Sequence, residues 1–209
     1  MRSTIFGDPA TWPEGDLIGV SEEFDAALTV EAYLAGVFPM PVDKLMGWWS
    51  PGLRGILPLD GLKVSRSLRK SARRYTTTLN VAFDEVLTRC ADPNRPLGWI
   101  DERIAGVYRQ LHRLGVAHSV ETWDADGHLV GGLYGVHLKG LFAGESMFHT
   151  PEGRDASKVA LLRLVEVLRE NGASLLDVQW ITPHLASLGA VEVTRDEYLA
   201  LLDEALGGE

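Results

Sequence analysis

The chain has 209 residues, 45% of them hydrophobic and 23% charged, which fits one large domain, or a large domain with a small satellite, and excludes a disordered chain. A single cysteine excludes a disulfide framework and a cysteine-based zinc cluster, so a reducing cytoplasm is the expected compartment. Twenty basic against twenty-nine acidic residues give a net charge of −9, which speaks against a general nucleic-acid coat. No run of about 18 apolar residues occurs, so no membrane-spanning helix is expected. Met1-Arg2-Ser3-Thr4 has no apolar stretch behind it, so no secretory signal is expected.

The first fifty residues are rich in Gly, Pro and Trp. A helix is expected near Glu22 to Ala35, ended by Gly36, and Pro39 and Pro41 forbid its resumption. A small N-terminal domain is expected over residues 1–54, a second domain over 55–209, and a linker near Gly55 to Gly61. Ser65 to Arg74 is expected to form a short basic helix capped by Ser65. Between Lys63 and Arg74 lie Lys63, Arg66, Arg69, Lys70, Arg73 and Arg74 with no acid among them, which leaves the rest of the chain at −15. A small basic patch on an acidic body suits a local polyanion contact.

Val81 to Cys90 and Asp101 to Leu114 are expected to be helices. In the latter, Ile104, Val107, Tyr108, Leu111 and Leu114 form the apolar stripe, Asp101 the cap and Gly115 the stop. The period then changes. His118 to Trp123, His128 to Val136 and Leu141 to Phe148 read as an antiparallel meander with turns at Asp124–Gly127 and Lys139-Gly140. Asp155 opens a further helix that Asn171-Gly172 closes. A buried strand at Leu175–Gln179, a helical turn at His184–Leu188 and a strand at Val191–Val193 follow. Thr194 and Glu197 form a capping box before a last helix. The expected class is α+β with a mixed sheet, an arrangement that many functions share.

Six histidines show no ligand spacing, so no metal is expected, and no cofactor either. P-loop and G-x-S-x-G signatures are absent. Gly131-Gly132 lies inside a strand, where glycine marks a bulge or a close backbone approach. Glu145 stands in the otherwise apolar Gly144–Phe148 segment. Asp177 and Gln179 are expected on one strand face, because strand side chains alternate. A carboxylate in a buried strand is costly unless paired or working, so satisfying core donors and performing chemistry are the two readings of Glu145 and Asp177. Trp48, Trp49, Trp99, Trp123 and Trp180 are either packing residues or a platform on which an unpaired base stacks, at roughly 1–3 kcal/mol per base.

An ordered series of segments carries a resemblance. It begins with Tyr33-Leu-Ala-Gly36-Val-Phe38-Pro39, Trp48-Trp49-Ser50-Pro51 with Arg54, and Val64-Ser65-Arg66-Ser67-Leu68. It continues through Trp99-Ile100, Tyr108-x-x-Leu111-His112-x-x-Gly115-x-Ala117-His118-Ser119-x-Glu121-x-Trp123 and Val130–Gly135. Gly144-Glu145-Ser146-Met147-Phe148, Ala156-Ser157-Lys158, Asp177-x-Gln179 and His184–Ala190 complete it. The chain resembles the leucyl/phenylalanyl-tRNA–protein transferases. The resemblance implies transfer of Leu, Phe or Met from aminoacyl-tRNA to a protein beginning with Arg or Lys, which marks that protein for degradation. It also implies a small N-terminal domain beside an acetyltransferase-like (GNAT) domain. The implied aminoacyl side-chain pocket is Leu133, Phe142, Met147, Leu164 and Leu176. The implied adenosine contacts are Trp99 and Met40, the latter where the family usually carries Trp. Trp180 stands where a smaller residue is common, and the family's G-G-D-L stretch is only partly recovered at Gly15-Asp16-Leu17.

On this reading the basic helix meets acceptor-stem phosphates. Gln179 accepts a hydrogen bond from the attacking amine, Asp177 holds or polarises the Gln179 amide, and Glu145 anchors an ammonium group. The ribose hydroxyl beside the ester is the alternative proton carrier. The chain is expected to act as a monomer, with no membrane contact. Two rivals remain. A CoA-dependent N-acetyltransferase needs a Q/R-x-x-G-x-G/A pyrophosphate loop, and the nearest string, Arg95 to Ile100, fails at its last position. The other is a catalytically inactive module that binds the tRNA 3′ end.

Overall fold

A computed structural model describes residues 5–93 and 98–208. Met1–Thr4, Glu209 and Asn94–Leu97, the last covering the first half of the Arg95–Ile100 string, lie outside the described residues. The first helix, α1 (Ala26–Leu34), starts where the Asp25 side chain accepts a hydrogen bond from the Leu28 N–H. It stops where Gly36 takes a left-handed conformation. Around it lie three strands, β1 (Leu17–Ser21), β2 (Phe38–Val42) and β3 (Leu45–Trp49), in the order β1-β3-β2. Pro39 and Pro41 are tolerated because β2 is an edge strand.

The second sheet is built from β4 (Leu53–Ile56), β5 (Thr76–Leu79), β6 (Ala117–Trp123), β7 (Leu129–Leu138), β8 (Leu141–His149), β9 (Leu175–Gln179) and β10 (Val191–Thr194). Its order is β10-β4-β9-β8-β7-β6-β5, and β8–β9 is its parallel pair. This mixed sheet beside the small sheet is the α+β layout expected from the acetyltransferase-like resemblance. The expected boundary after Arg54 falls inside β4, and the start of the expected linker is therefore strand. Arg54 lies in a sheet because β4 pairs with both β9 and β10.

Six further helices cover the large sheet: α2 (Arg66–Ala72), α3 (Phe83–Cys90), α4 (Glu102–Arg113), α5 (Ala156–Glu170), α6 (Pro183–Ser187) and α7 (Arg195–Ala205). Two apolar layers form on its faces. Val86, Leu87, Ile104, Leu111, Leu141 and Leu175 belong to one. Leu133, Phe142, Leu161, Leu164, Val165 and Leu176 belong to the other, beneath α5. The alternation along β8 and β9 assigns each residue to its layer, because neighbouring strand residues point to opposite faces. Gly131 permits the close approach read from sequence: a Cβ there would sit 2.5 Å from the Ala156 Cβ at the start of α5. Asp155 does not cap α5 with its side chain; it has positive φ, and its carboxylate accepts from Ser71 and pairs with Lys158.

Two features open the sheet. The β8–β9 ladder ends at the Ala143–Asp177 pair, so the strands part beyond it. The β7–β8 register also shifts between Tyr134 and Gly135, which re-aims the Gly144–Met147 side chains.

Candidate active site

The parting of β8 and β9 leaves a cleft of about 1090 Å³. Its apolar wall is made by Leu133, Met147, Leu161, Leu164, Leu176 and Val178. Met40 and Trp99 line it beside Pro39, Pro41 and Gly98. Trp180 lines it too, edge-on to Phe38 at 4.8 Å and to Trp49 at 5.7 Å. The Trp180 indole N–H donates to Asp16 at 3.2 Å, and the other Asp16 oxygen accepts from the Gly52 N–H. The Gly15-Asp16-Leu17 remnant thus ties the N-terminal segment to the cleft rim. Phe142 is not a lining residue. Its ring is buried in the layer under α5, one position before the ladder ends, so the implied donor pocket loses that member.

Glu145 supplies one carboxylate in this cleft, and Asp101, paired with Arg103, supplies another. The Tyr33 hydroxyl donates to Glu145 Oε1 at 2.6 Å and the Tyr108 hydroxyl to Glu145 Oε2 at 2.8 Å. The two phenol oxygens lie 2.6 Å apart. Two phenols carry two protons, and three short oxygen contacts are better served by three. A proton on the carboxyl supplies the third: in that form one phenol accepts from the carboxyl and donates to the other phenol, which donates back to the second carboxyl oxygen. Burial pushes the Glu145 carboxyl up to about 7, against the pull of the two tyrosine hydroxyls. Burial also drives both phenols well above their ordinary value, so they stay neutral donors.

Gln179 completes the polar patch. Its Nε2 donates to Glu145 Oε1 at 3.3 Å, which leaves the amide oxygen as the acceptor offered to the cleft. Gln179 has φ of +58°, a left-handed conformation uncommon outside glycine. That turn breaks the strand alternation, so Asp177 and Gln179 do not share a face as expected. Gln179 lines the cleft, whereas Asp177 is fully buried behind it. Asp177 touches Gln179 only through the backbone N–H, at 2.9 Å. The residue holding the Gln179 side-chain amide is Glu145, not Asp177.

The six basic residues from Lys63 to Arg74 are all exposed and lie outside the cleft. Among the described residues none of them forms an ion pair. The Ser65 side chain caps α2, which packs on α5, and the Lys63 N–H donates to the Leu188 carbonyl just after α6. Since α6 contributes His184 and Leu185 to the cleft, the patch flanks that end of it. His112 stacks on Phe83, while Asp124, Asp126 and His128 meet in the β6–β7 turn with their ligand atoms within 4.8 Å of one another, and Asp124 there accepts the Asp126 and His128 backbone N–H groups. No helix among the described residues is long and apolar enough to cross a membrane.

A largely apolar slot opening at parted strands, with a carboxylate and an amide beside it, can hold an acyl group next to an amine. Solved structures support the fold: the chain superposes on FemX with a TM-score of 0.50 at 11% identity, over 69% of this chain and 60% of that one. The leucyl/phenylalanyl-tRNA protein transferase family matches residues 56–203, and that family's N-terminal domain matches residues 22–52. A leucyl/phenylalanyl-tRNA–protein transferase of Rhizorhabdus wittichii is 52% identical over 88% of this chain and 75% of its own. One of Herpetosiphon aurantiacus is 48% identical over 90% of this chain and 97% of its own. The chain belongs to the leucyl/phenylalanyl-tRNA protein transferase family, a family of aminoacyltransferases.

Sequence reasoning assigned no role to Tyr33, Tyr108, Arg54 or Tyr198. The first three stand in the quoted segments, and Tyr108 interrupts an apolar stripe with a hydroxyl. That was the available signal.

Proposed function

We propose that this chain transfers Leu, Phe or Met from aminoacyl-tRNA to the N-terminal Arg or Lys of acceptor proteins, marking them for degradation in the cytoplasm. The observation that carries this reading is the Glu145–Gln179 pair in a mainly apolar cleft. Leu133, Met147, Leu164 and Leu176 seat the aminoacyl side chain. Such a wall separates Leu, Phe and Met by only about 1–3 kcal/mol, which suits a relaxed choice of donor. Trp99 and Met40 meet the terminal adenosine, and the exposed basic helix meets acceptor-stem phosphates.

Glu145 holds the cationic amino terminus, which gives up its surplus proton to solvent before attack. An α-ammonium group has a pKa of about 8, so roughly a tenth is neutral at pH 7, and the Gln179 oxygen accepts one of its hydrogens to orient the lone pair. The amine nitrogen attacks the ester carbonyl carbon. The new C–N bond forms, the C–O bond to the ribose breaks, and the amine proton passes to the departing ribose oxygen, directly or through the neighbouring hydroxyl. Esters are activated acyl donors, so positioning is the main task left to the protein.

The test is an incubation of labelled leucyl-tRNA with a peptide beginning with Arg. Transfer of label to the peptide is expected. Binding without transfer would make the protein a module for the tRNA end, and turnover of acetyl-CoA with the same peptide would make it an acetyltransferase.

A further inference from the structure

The Asp177 carboxylate is saturated. Its Oδ1 accepts from Arg54 Nε at 2.9 Å and from the Gln179 N–H at 2.9 Å. Its Oδ2 accepts from Arg54 Nη2 at 2.6 Å and from the Tyr198 hydroxyl at 3.0 Å. Four donors fill the four lone-pair sites of a carboxylate. Nothing remains to accept from a substrate or from the Gln179 side chain. The charge is also matched, because a fork-to-fork Arg54 pair neutralises it inside the protein.

Arg54 is as firmly placed as its partner. Its guanidinium lies between the Phe38 ring at 4.5 Å and the Tyr198 ring at 4.3 Å. Its Nη1 donates to the Gly36 carbonyl at 3.2 Å, where α1 ends. Burial opposes its charge, but the Asp177 carboxylate together with the Tyr198 and Tyr33 hydroxyls more than offsets it and keeps the guanidinium protonated. Arg54 and Asp177 are 1% and 0% exposed, so neither meets the cleft.

The output of this assembly is one backbone N–H. Gln179 stands in a left-handed conformation that its side chain does not favour, and the Asp177 oxygen two residues earlier clamps it there. We infer that Arg54 and Tyr198 are positioning residues for Gln179: through the saturated Asp177 carboxylate they fix the backbone turn that aims the Gln179 amide oxygen into the cleft. Asp177 is then a strut and not a member of a proton relay. This inference rests on the proposed role of Gln179 as the group that meets the attacking amine.

The experiment is a double-mutant cycle of Tyr198→Phe and Gln179→Ala, read as kcat and as KM for leucyl-tRNA and for an Arg peptide. Tyr198→Phe keeps the ring against Arg54 and removes one donor. It should lower kcat about tenfold with both KM values within about twofold, since the slot and Glu145 are untouched. Gln179→Ala alone should lower kcat on the order of 100-fold. In the Gln179→Ala background, Tyr198→Phe should cost nothing more in kcat, because there is no amide left to aim. Losses that multiply, or an unchanged kcat in folded Tyr198→Phe, overturn the inference while the role of Gln179 stands. An unchanged kcat in Gln179→Ala overturns that role first, and the inference with it. Should Tyr198→Phe not fold, Arg54→Lys is run through the same cycle with the same outcomes.

Discussion

At Glu145 the sign of the pH dependence follows from burial. Its carboxyl is raised to about 7 from an ordinary 4.5, so the folded protein holds this proton where the unfolded chain has lost it. Glu145 therefore favours the folded state at low pH, and that contribution is lost as pH rises through about 7. Glu145→Gln removes the dependence: its Tm advantage over the parent should grow between pH 5 and pH 8 in thermal melts. Activity runs the opposite way. The anchor must be ionised to hold a cation, so kcat/KM for an Arg peptide should climb with pH through 7, and Glu145→Gln should flatten that limb. Leu164 makes a separate prediction. Leu164→Ala deepens the slot and should shift donor preference from Leu toward Phe by about 1–3 kcal/mol in a competition of the two charged tRNAs. Phe142→Ala, buried off the slot, should lower stability by about 3–5 kcal/mol and leave the preference alone.

Among the described residues the exposed cations of α2 form no ion pair, although the Asp155 carboxylate accepts from Ser71 on the same helix. Arg66, Arg69 and Arg73 replaced together by Ala should weaken tRNA binding and reduce the slope of log K against log salt by about 2–3. An unchanged slope places the phosphates elsewhere. The helices were largely legible because their signals are local. Asp101 accepts from the Arg103 and Ile104 N–H groups, and Thr194 and Glu197 close a reciprocal box. The meander was legible from its alternation. The small sheet was not, since Pro39, Pro41 and Gly47 conceal strands whose identity comes from pairing. Nor was β5, a Thr-rich edge strand defined by β6. At the site, Glu145 and Gln179 could be singled out as polar groups in apolar strands. Their grouping could not. Tyr33 and Tyr108 reach Glu145 from 112 and 37 residues away, and the left-handed turn at Gln179 leaves no mark in a sequence that otherwise alternates.

Across the whole molecule, side chains stitch the N-terminal sheet to the large one. Arg195, at the start of α7, donates to the carbonyls of Pro13, Gly15 and Ser50. Arg54 and Tyr33 bridge the same seam from inside. The two units should therefore unfold in one transition, with tryptophan fluorescence and far-UV circular dichroism coinciding. Arg195→Ala leaves three carbonyls without their donor and should cost about 1–3 kcal/mol in that transition.

The four-oxygen cluster of Tyr33, Tyr108 and Glu145 has one more consequence. With its carboxyl raised to about 7, the cluster is close to half-discharged in neutral solution before any acceptor arrives. A cation settling beside it favours the anionic form and expels the remaining hydrogen ion into the medium. Heats of peptide association measured calorimetrically at pH 7 should consequently differ between phosphate and Tris, by an amount proportional to the ionisation enthalpy of each buffer, and the difference should vanish once position 145 carries an amide.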